Sequence, residues 1–180
     1  MVFVRLSGCN LRCPFCDTDH SRFTEMQAGD VVQAVRALRP GGRVCLTGGE
    51  PLLQLDAALT AALHDAGYTV HLETNGTRPL PEGVDWVTLS PKQDIPALKG
   101  AGEVVLERAD ELKLVYDGSL QPGSLAAWAR FPATWHFLQP CDTGDPRRNA
   151  EILRKTIGRV REPGSPWRLS LQIHKILGIQ

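Results

Sequence analysis

Short apolar runs of strand length alternate along the chain with stretches whose apolar residues recur at helical spacing. Val2–Leu6 reads as a strand and leads into a cysteine-bearing loop. Gly29-Asp30 then signals the start of a helix over residues 31–38, which Pro40-Gly41-Gly42 ends. Residues 43–47 predict a short buried strand, and residues 53–66 a helix stopped by Gly67. Further strands are expected at 69–73, Trp86–Leu89, 111–115 and 134–138, and further helices at 124–130 and 149–160. The loops at 77–83 and 91–102 carry no full helical pattern, so some crossovers are abbreviated.

This rhythm of strand then helix predicts an α/β fold with a parallel sheet and covering helices. About six strands are too few for a closed eight-fold barrel, so the expected architecture is an open or partial (β/α) barrel. Residues 1–180 show no internal repeat, low-complexity tract or linker and read as one domain.

Composition narrows the function. Twenty Lys and Arg balance twenty Asp and Glu, so the net charge is zero. That argues against a nucleic-acid-binding surface, which needs excess positive charge to neutralise phosphates. With 42% hydrophobic and 22% charged residues the composition is ordinary for a globular protein. No membrane span or secretory signal is visible, so the expected address is the cytoplasm. One feature is abnormal: three of the five cysteines lie between Cys9 and Cys16. In a chain of this size an odd number of cysteines points to a metal site rather than a disulfide framework.

Cys9, Cys13 and Cys16 form C-x3-C-x2-C. Thiolates ligate both zinc and iron–sulfur clusters. Three of them can hold three corners of a 4Fe–4S cubane and leave one iron open; a zinc site needs a fourth ligand, for which His20 is the nearest candidate. Cys45, in an apolar strand, reads as a small buried hydrophobe. Thr47-Gly48-Gly49-Glu50-Pro51 follows the second strand. Its glycines allow backbone to approach a ligand, and Glu50 adds an acceptor.

A C-x3-C-x2-C loop followed by Gly-Gly-Glu-Pro resembles the radical S-adenosylmethionine (SAM) enzymes. The resemblance implies a 4Fe–4S cluster on Cys9, Cys13 and Cys16. Its open iron would bind the methionine end of SAM, and the Gly-Gly-Glu-Pro turn would hold the amino group. More of the chain is similar to one family, the 7-carboxy-7-deazaguanine synthases. The motifs are Phe3-Val-Arg-Leu-Ser-Gly-Cys with Cys16-Asp-Thr18, Glu73-Thr-Asn-Gly76, Ser90-Pro-Lys92, Glu111-Leu-Lys-Leu-Val115, Leu138-Gln-Pro-Cys-Asp142 and Leu171-Gln-Ile-His-Lys-Ile-Leu-Gly-Ile179. That family converts 6-carboxy-5,6,7,8-tetrahydropterin to 7-carboxy-7-deazaguanine with loss of ammonia, a lyase step towards queuosine, using SAM, the cluster and Mg²⁺.

Site residues follow from the resemblance. Thr18 is implied as a Mg²⁺ ligand, with Asp17 and Asp19 as rivals by hard-ligand chemistry. Arg5, Thr47, His174 and Gln180 are implied to meet the substrate; a guanidinium suits a carboxylate, although an arginine on such a strand can equally face solvent. Phe15, Cys16 and Asp17 would lie along SAM, as would Gly49 and Glu50. Ser90, Pro91 and Lys92 would contact it from one strand end, and Gln139, Pro140, Cys141 and Asp142 from another. Asn75 is a further helper, and first of all a turn residue.

Family members usually carry an N-terminal segment ahead of Phe3 with a Gly-Glu-Gly-like motif, so the expectation is either a trimmed or misplaced start or a member with a reduced pocket. A homodimer and a flavodoxin-like electron donor are further implications. Two rival functions remain at this stage. A glycyl-radical activase shares the cysteine loop but gives no account of Cys-Asp-Thr18 or of the tail. A non-catalytic iron–sulfur or zinc module leaves Gly48-Gly49-Glu50-Pro51, Ser90-Pro91-Lys92 and Gln139-Pro140 unexplained.

Overall fold

In chain order the strands are β1 (Val2–Leu6), β2 (Gly42–Gly48), β3 (Tyr68–Thr74), β4 (Trp86–Leu89), β5 (Ala109–Tyr116), β6 (Ala133–Pro140) and β7 (Trp167–Leu169). They form one sheet in that same spatial order, every neighbouring pair parallel. The computed structural model describes residues 1–39, 41–98 and 102–178, with Pro122 and His174 described by backbone alone. Helices α1 (Ala28–Leu38), α2 (Ala57–Asp65), α3 (Pro122–Trp128) and α4 (Pro146–Val160) lie in the connections, and α5 (Ile173–Leu177) follows β7. Between β4 and β5 the only helix among the described residues is a 3-10 turn, Pro96–Leu98.

Strand order explains where the site must lie. Right-handed crossovers that always step the same way along a sheet put their helices on one face. That face carries both apolar cores. Val44, Leu46, Val70 and Leu72 pack with Val35 and Leu63 at one end. Leu112, Leu114, Leu138 and Trp167 pack with Leu125 and Trp128 at the other. Leu46, Leu72, Leu89, Leu112 and Leu138 are fully buried, and each such side chain contributes about 1.5–3 kcal/mol. The opposite face carries polar residues, yet Cys45, Thr47 and Thr88 on it are buried too. The sheet therefore curls to shelter that face, and β1 and β7 remain edges, which makes a partial barrel.

The sequence reading locates six of the seven strands. It misses β7, whose three residues Trp-Arg-Leu are too few to show a period. The helix expected over 53–66 is in fact a 3-10 turn, Pro51–Leu53, followed by α2. Asp56 causes the break: its Oδ1 accepts from the Leu59 N–H at 2.8 Å and so starts the helix anew. Helix α4 begins at Pro146 rather than at 149 because Asp145 Oδ1 accepts from the Arg147 N–H at 2.8 Å. Helix α1 likewise starts one residue before Gly29, with the Gln27 N–H bonded to Asp30 Oδ2 at 3.2 Å. α5 lies in the tail, where no helix was expected.

Candidate active site

Loops at the carboxyl ends of the strands build the site, as in other parallel sheets. The cysteine loop leaves β1 and turns tightly at its end, where the Cys16 N–H donates to the Cys13 carbonyl at 3.1 Å. Its other side is fastened to the rest of the fold. Asn10 Nδ2 donates to Thr77 Oγ1 at 2.8 Å and Asn10 Oδ1 accepts from Asn75 Nδ2 at 3.1 Å, while Leu11 is buried beneath. All three thiols are free. Burial raises the Cys9 and Cys13 thiols above their ordinary range.

These donors fit a cluster. They are three sulfur ligands on one anchored loop, the chemistry that iron–sulfur centres use. Among the described residues no three His, Cys, Asp or Glu side chains are arranged to hold a single metal ion. A cubane, by contrast, offers its irons at separate corners. His20, the expected fourth zinc ligand, accepts from the Gly8 N–H through Nδ1 at 3.1 Å and so has a structural task.

In the Gly-Gly-Glu-Pro turn both glycines are required by close approach of backbone. A Cβ on Gly48 would sit 2.0 Å from the Leu6 carbonyl oxygen, and one on Gly49 2.0 Å from that of Gly8. At this approach the Gly49 N–H donates to Leu6 at 3.0 Å and the Glu50 N–H to Gly8 at 2.9 Å. The turn thus zips onto the first residues of the cysteine loop. Glu50 is fully buried. Its carboxylate accepts from Thr74 Oγ1 at 2.6 Å, the Asn75 N–H at 2.7 Å and the Leu52 N–H at 3.0 Å. It locks the end of β3 to the end of β2, so the acceptor the sequence suggested is already engaged within the fold.

At the end of β4, Pro91 is buried and Lys92 Nζ donates to Ser90 Oγ at 2.7 Å. Burial pushes the Lys92 ammonium down to about 8, with the Cys13 thiol among its neighbours. Near the end of β6, Gln139 Oε1 accepts from Ser170 Oγ at 3.4 Å, and just past it Cys141 is buried. Asp142 accepts from Asn149 Nδ2 at 2.7 Å and from Lys175 Nζ at 2.8 Å. The Lys175 bond, the largest effect, holds its carboxyl well below the usual carboxylate range. Lys175 also reaches Asp17 at 2.7 Å. Asp19 Oδ1 caps the Ser21 N–H at 2.8 Å. Both acidic rivals of Thr18 are therefore engaged, while Thr18 and Phe15 lie half-buried in the same loop.

On the curled polar face a row of side chains crosses the strands below these loops. Arg5 pairs in register with Thr47, Glu73 with Thr88, and Thr88 with Glu111. Thr47 Oγ1 donates to Glu73 Oε2 at 3.1 Å and Lys113 Nζ to Glu73 Oε1 at 2.7 Å. Glu111 accepts from Trp86 Nε1 at 3.2 Å and Thr88 Oγ1 at 3.3 Å. Arg5 and Thr47 thus share one surface. His174 lies on α5, and Gln180 is outside the described residues. Glu73, Lys113 and Lys175 were given no role from sequence. For Glu73 and Lys113 the signal was present as polar residues at alternate positions of otherwise apolar strands.

Residues 3–107 match the Radical SAM superfamily, the class that this sheet and its three-cysteine loop define. The chain is 43% identical over 179 residues to the 7-carboxy-7-deazaguanine synthase of Bacteroides thetaiotaomicron, covering 99% of this chain and 87% of that one. It is 41% identical over 201 residues to the synthase of Bordetella pertussis, covering 99% and 89%. Among solved structures, QueE from Escherichia coli matches with a TM-score of 0.70 at 27% identity over 94% of this chain and 84% of that one. SuiB of Streptococcus suis, bound to its precursor peptide SuiA, shares the fold with a TM-score of 0.60 at 18% identity, covering 94% and 48%. The chain belongs to the 7-carboxy-7-deazaguanine synthase family. Membership implies a 4Fe–4S cluster and SAM as its cofactors. No helix of the described residues is long and apolar enough to cross a membrane.

Proposed function

We propose that this chain converts 6-carboxy-5,6,7,8-tetrahydropterin to 7-carboxy-7-deazaguanine with release of ammonia. The observation that carries the reading is the polar row of Arg5, Thr47 and Glu73 on the sheltered face of the sheet, with the three-cysteine loop at the mouth of that face. The cluster, which Cys9, Cys13 and Cys16 would hold, and SAM would together supply radical hydrogen-abstraction chemistry when bound.

The chain's own residues orient and enclose. Arg5 offers a guanidinium fork to the substrate carboxylate. Glu73 and Thr47, beside it, present oxygens to the N–H edge of a pterin. Cys9, Cys13 and Cys16 hold the cluster, and the turn at Gly48-Gly49 sets their loop against β2. Gly49, Phe15 and Asp17 flank SAM on one side. Ser90, Pro91, Lys92, Gln139, Pro140, Cys141 and Asp142 flank it on the others. Glu50 serves SAM indirectly, by fixing the turn. Thr18 would ligate Mg²⁺, which would supply a template and electrostatic stabilisation. His174 and Gln180 are read as substrate contacts by the family resemblance. A homodimer, a flavodoxin-like electron donor and a cytoplasmic address complete the reading.

Anaerobic turnover with the reconstituted protein tests it. The pterin is consumed in a SAM- and Mg²⁺-dependent way, and Thr18→Ala loses the Mg²⁺ dependence. SAM cleavage with the pterin left untouched sinks the reaction assignment, and unaltered Mg²⁺ dependence in Thr18→Ala moves the metal to other ligands.

A further inference from the structure

Glu73 is held at both carboxylate oxygens from two different strands. Thr47 on β2 donates to Oε2 at 3.1 Å, and Lys113 on β5 donates to Oε1 at 2.7 Å. β4 lies between β3 and β5, so the Lys113 side chain spans an intervening strand to reach this partner. The pair is sheltered, with side-chain exposures of 21% for Lys113 and 35% for Glu73. Desolvating two charges is unfavourable, and such a pair is weak evidence of a device for stability. The strands it spans are already joined by the parallel ladders of β3 with β4 and β4 with β5. It also stands on the face away from both apolar cores. The other acid of the row, Glu111, has its own donors in Trp86 and Thr88 and takes no part.

A carboxylate has about four acceptor positions. Thr47 and Lys113 use one on each oxygen, which leaves one on each oxygen for a ligand. A planar pterin edge with adjacent N–H donors matches two parallel acceptors of this kind.

We infer that Lys113 is a positioning residue of the proposed reaction, fixing the charge and rotation of Glu73 so that its two remaining acceptor positions meet the N–H edge of the substrate. This rests on the reading given under Proposed function.

The charged and titratable groups around Glu73 are Arg5 on β1, Cys45 on β2, and Glu111 and Lys113 on β5. Burial works against ionisation of Glu73, but Lys113, the Thr47 hydroxyl and Arg5 outweigh it and hold the carboxyl below its ordinary value. Without Lys113 the burial effect gains ground, and the carboxyl titrates at higher pH.

The test is steady-state kinetics of the reconstituted holoenzyme with 6-carboxytetrahydropterin across pH. Lys113→Met raises KM for the pterin by about tenfold to a hundredfold, as loss of a charge-assisted contact does, and moves the acidic limb of kcat/KM to higher pH. Lys113→Arg restores most of both. Glu73→Gln combined with Lys113→Met is no worse than Glu73→Gln alone, because one residue acts through the other. If Lys113→Met does not fold, Lys113→Gln, which keeps a donor without the charge, carries the same limb shift. An unmoved acidic limb, or losses that multiply in the double variant, overturns the inference. So does a lowered melting temperature with wild-type KM, the result of a purely structural pair. Wild-type turnover is the separate control: its absence removes the proposed reaction and this inference with it. Turnover with unchanged variant kinetics removes the inference alone.

Discussion

The ammonium of Lys175 lies 2.7 Å from the carboxylate of Asp17 and so joins the C-terminal helix to the cysteine loop. The same nitrogen reaches Asp142 beyond β6 at 2.8 Å. One side chain thereby ties together three segments that meet only at the mouth of the site. Burial lowers its basicity, yet the two carboxylates overcome this and raise it above the ordinary lysine value. Because the groups are partly exposed, Lys175→Met changes global stability by no more than about 1 kcal/mol. Its effect is local. Amide hydrogen exchange over residues 171–178 quickens, and the fraction of SAM cleaved without product rises. Unchanged exchange there would show that other contacts hold the tail.

Gly49 is tightly enclosed by the cysteine loop. A methyl group in Gly49→Ala meets the Gly8 carbonyl oxygen at 2.0 Å and the His20 ring at 2.8 Å. The turn and the cysteine loop must separate, at a cost of about 3 kcal/mol. Iron retained per chain after reconstitution falls along with the melting temperature. Full iron loading in Gly49→Ala would mean that the loop does not need this anchor.

Glu50→Gln tests the buried carboxylate with little change of shape. The amide nitrogen replaces an acceptor that now serves Thr74 and Leu52 or Asn75. An unmatched buried donor pair costs about 1–3 kcal/mol, read as a lower midpoint of urea unfolding. An unchanged midpoint would show that the turn is held by its backbone bonds alone.

Acid sensitivity has a local source at Asp85. Its Oδ2 accepts from the Val70 N–H at 2.6 Å and contacts His64 Nε2 at 2.8 Å. Burial pushes this carboxyl up, but the Val70 and His64 bonds outweigh it, and it titrates below its ordinary value. The stabilisation is therefore present above the unfolded-state value, about 3.9, and fades as pH falls through the folded one. Asp85→Asn keeps an acceptor for Val70 and loses the titration. Its urea midpoint falls less steeply below about pH 4 than that of the wild type; parallel curves would remove Asp85 as the source.

The pattern of Val, Leu and Ile was enough to read six strands and a partial barrel, because a strand buried on a parallel sheet must be apolar on its covered face. β7 and the break before α2 were not legible from that pattern. The first is too short to show a period, and the second depends on the single side chain of Asp56. The cysteines announced themselves by spacing. The close approach of Gly48 and Gly49 to the Leu6 and Gly8 carbonyls was not legible, since a glycine forced by neighbouring backbone looks the same in sequence as one that admits a ligand. Glu73, Lys113 and Lys175 depend on partners 26 to 40 residues away or more. Such pairings exist only after the strands are placed in order.

If the sheltered polar face turns over a carboxylated pterin beneath the cysteine loop, mass spectrometry of an anaerobic reaction shows it, with the reconstituted protein, SAM, Mg²⁺, a reductant and 6-carboxy-5,6,7,8-tetrahydropterin. The expected products are 7-carboxy-7-deazaguanine and an equal amount of ammonia, both lost when Cys13→Ala removes a cluster ligand. Reductive cleavage of SAM with the pterin recovered intact would exclude the proposed reaction.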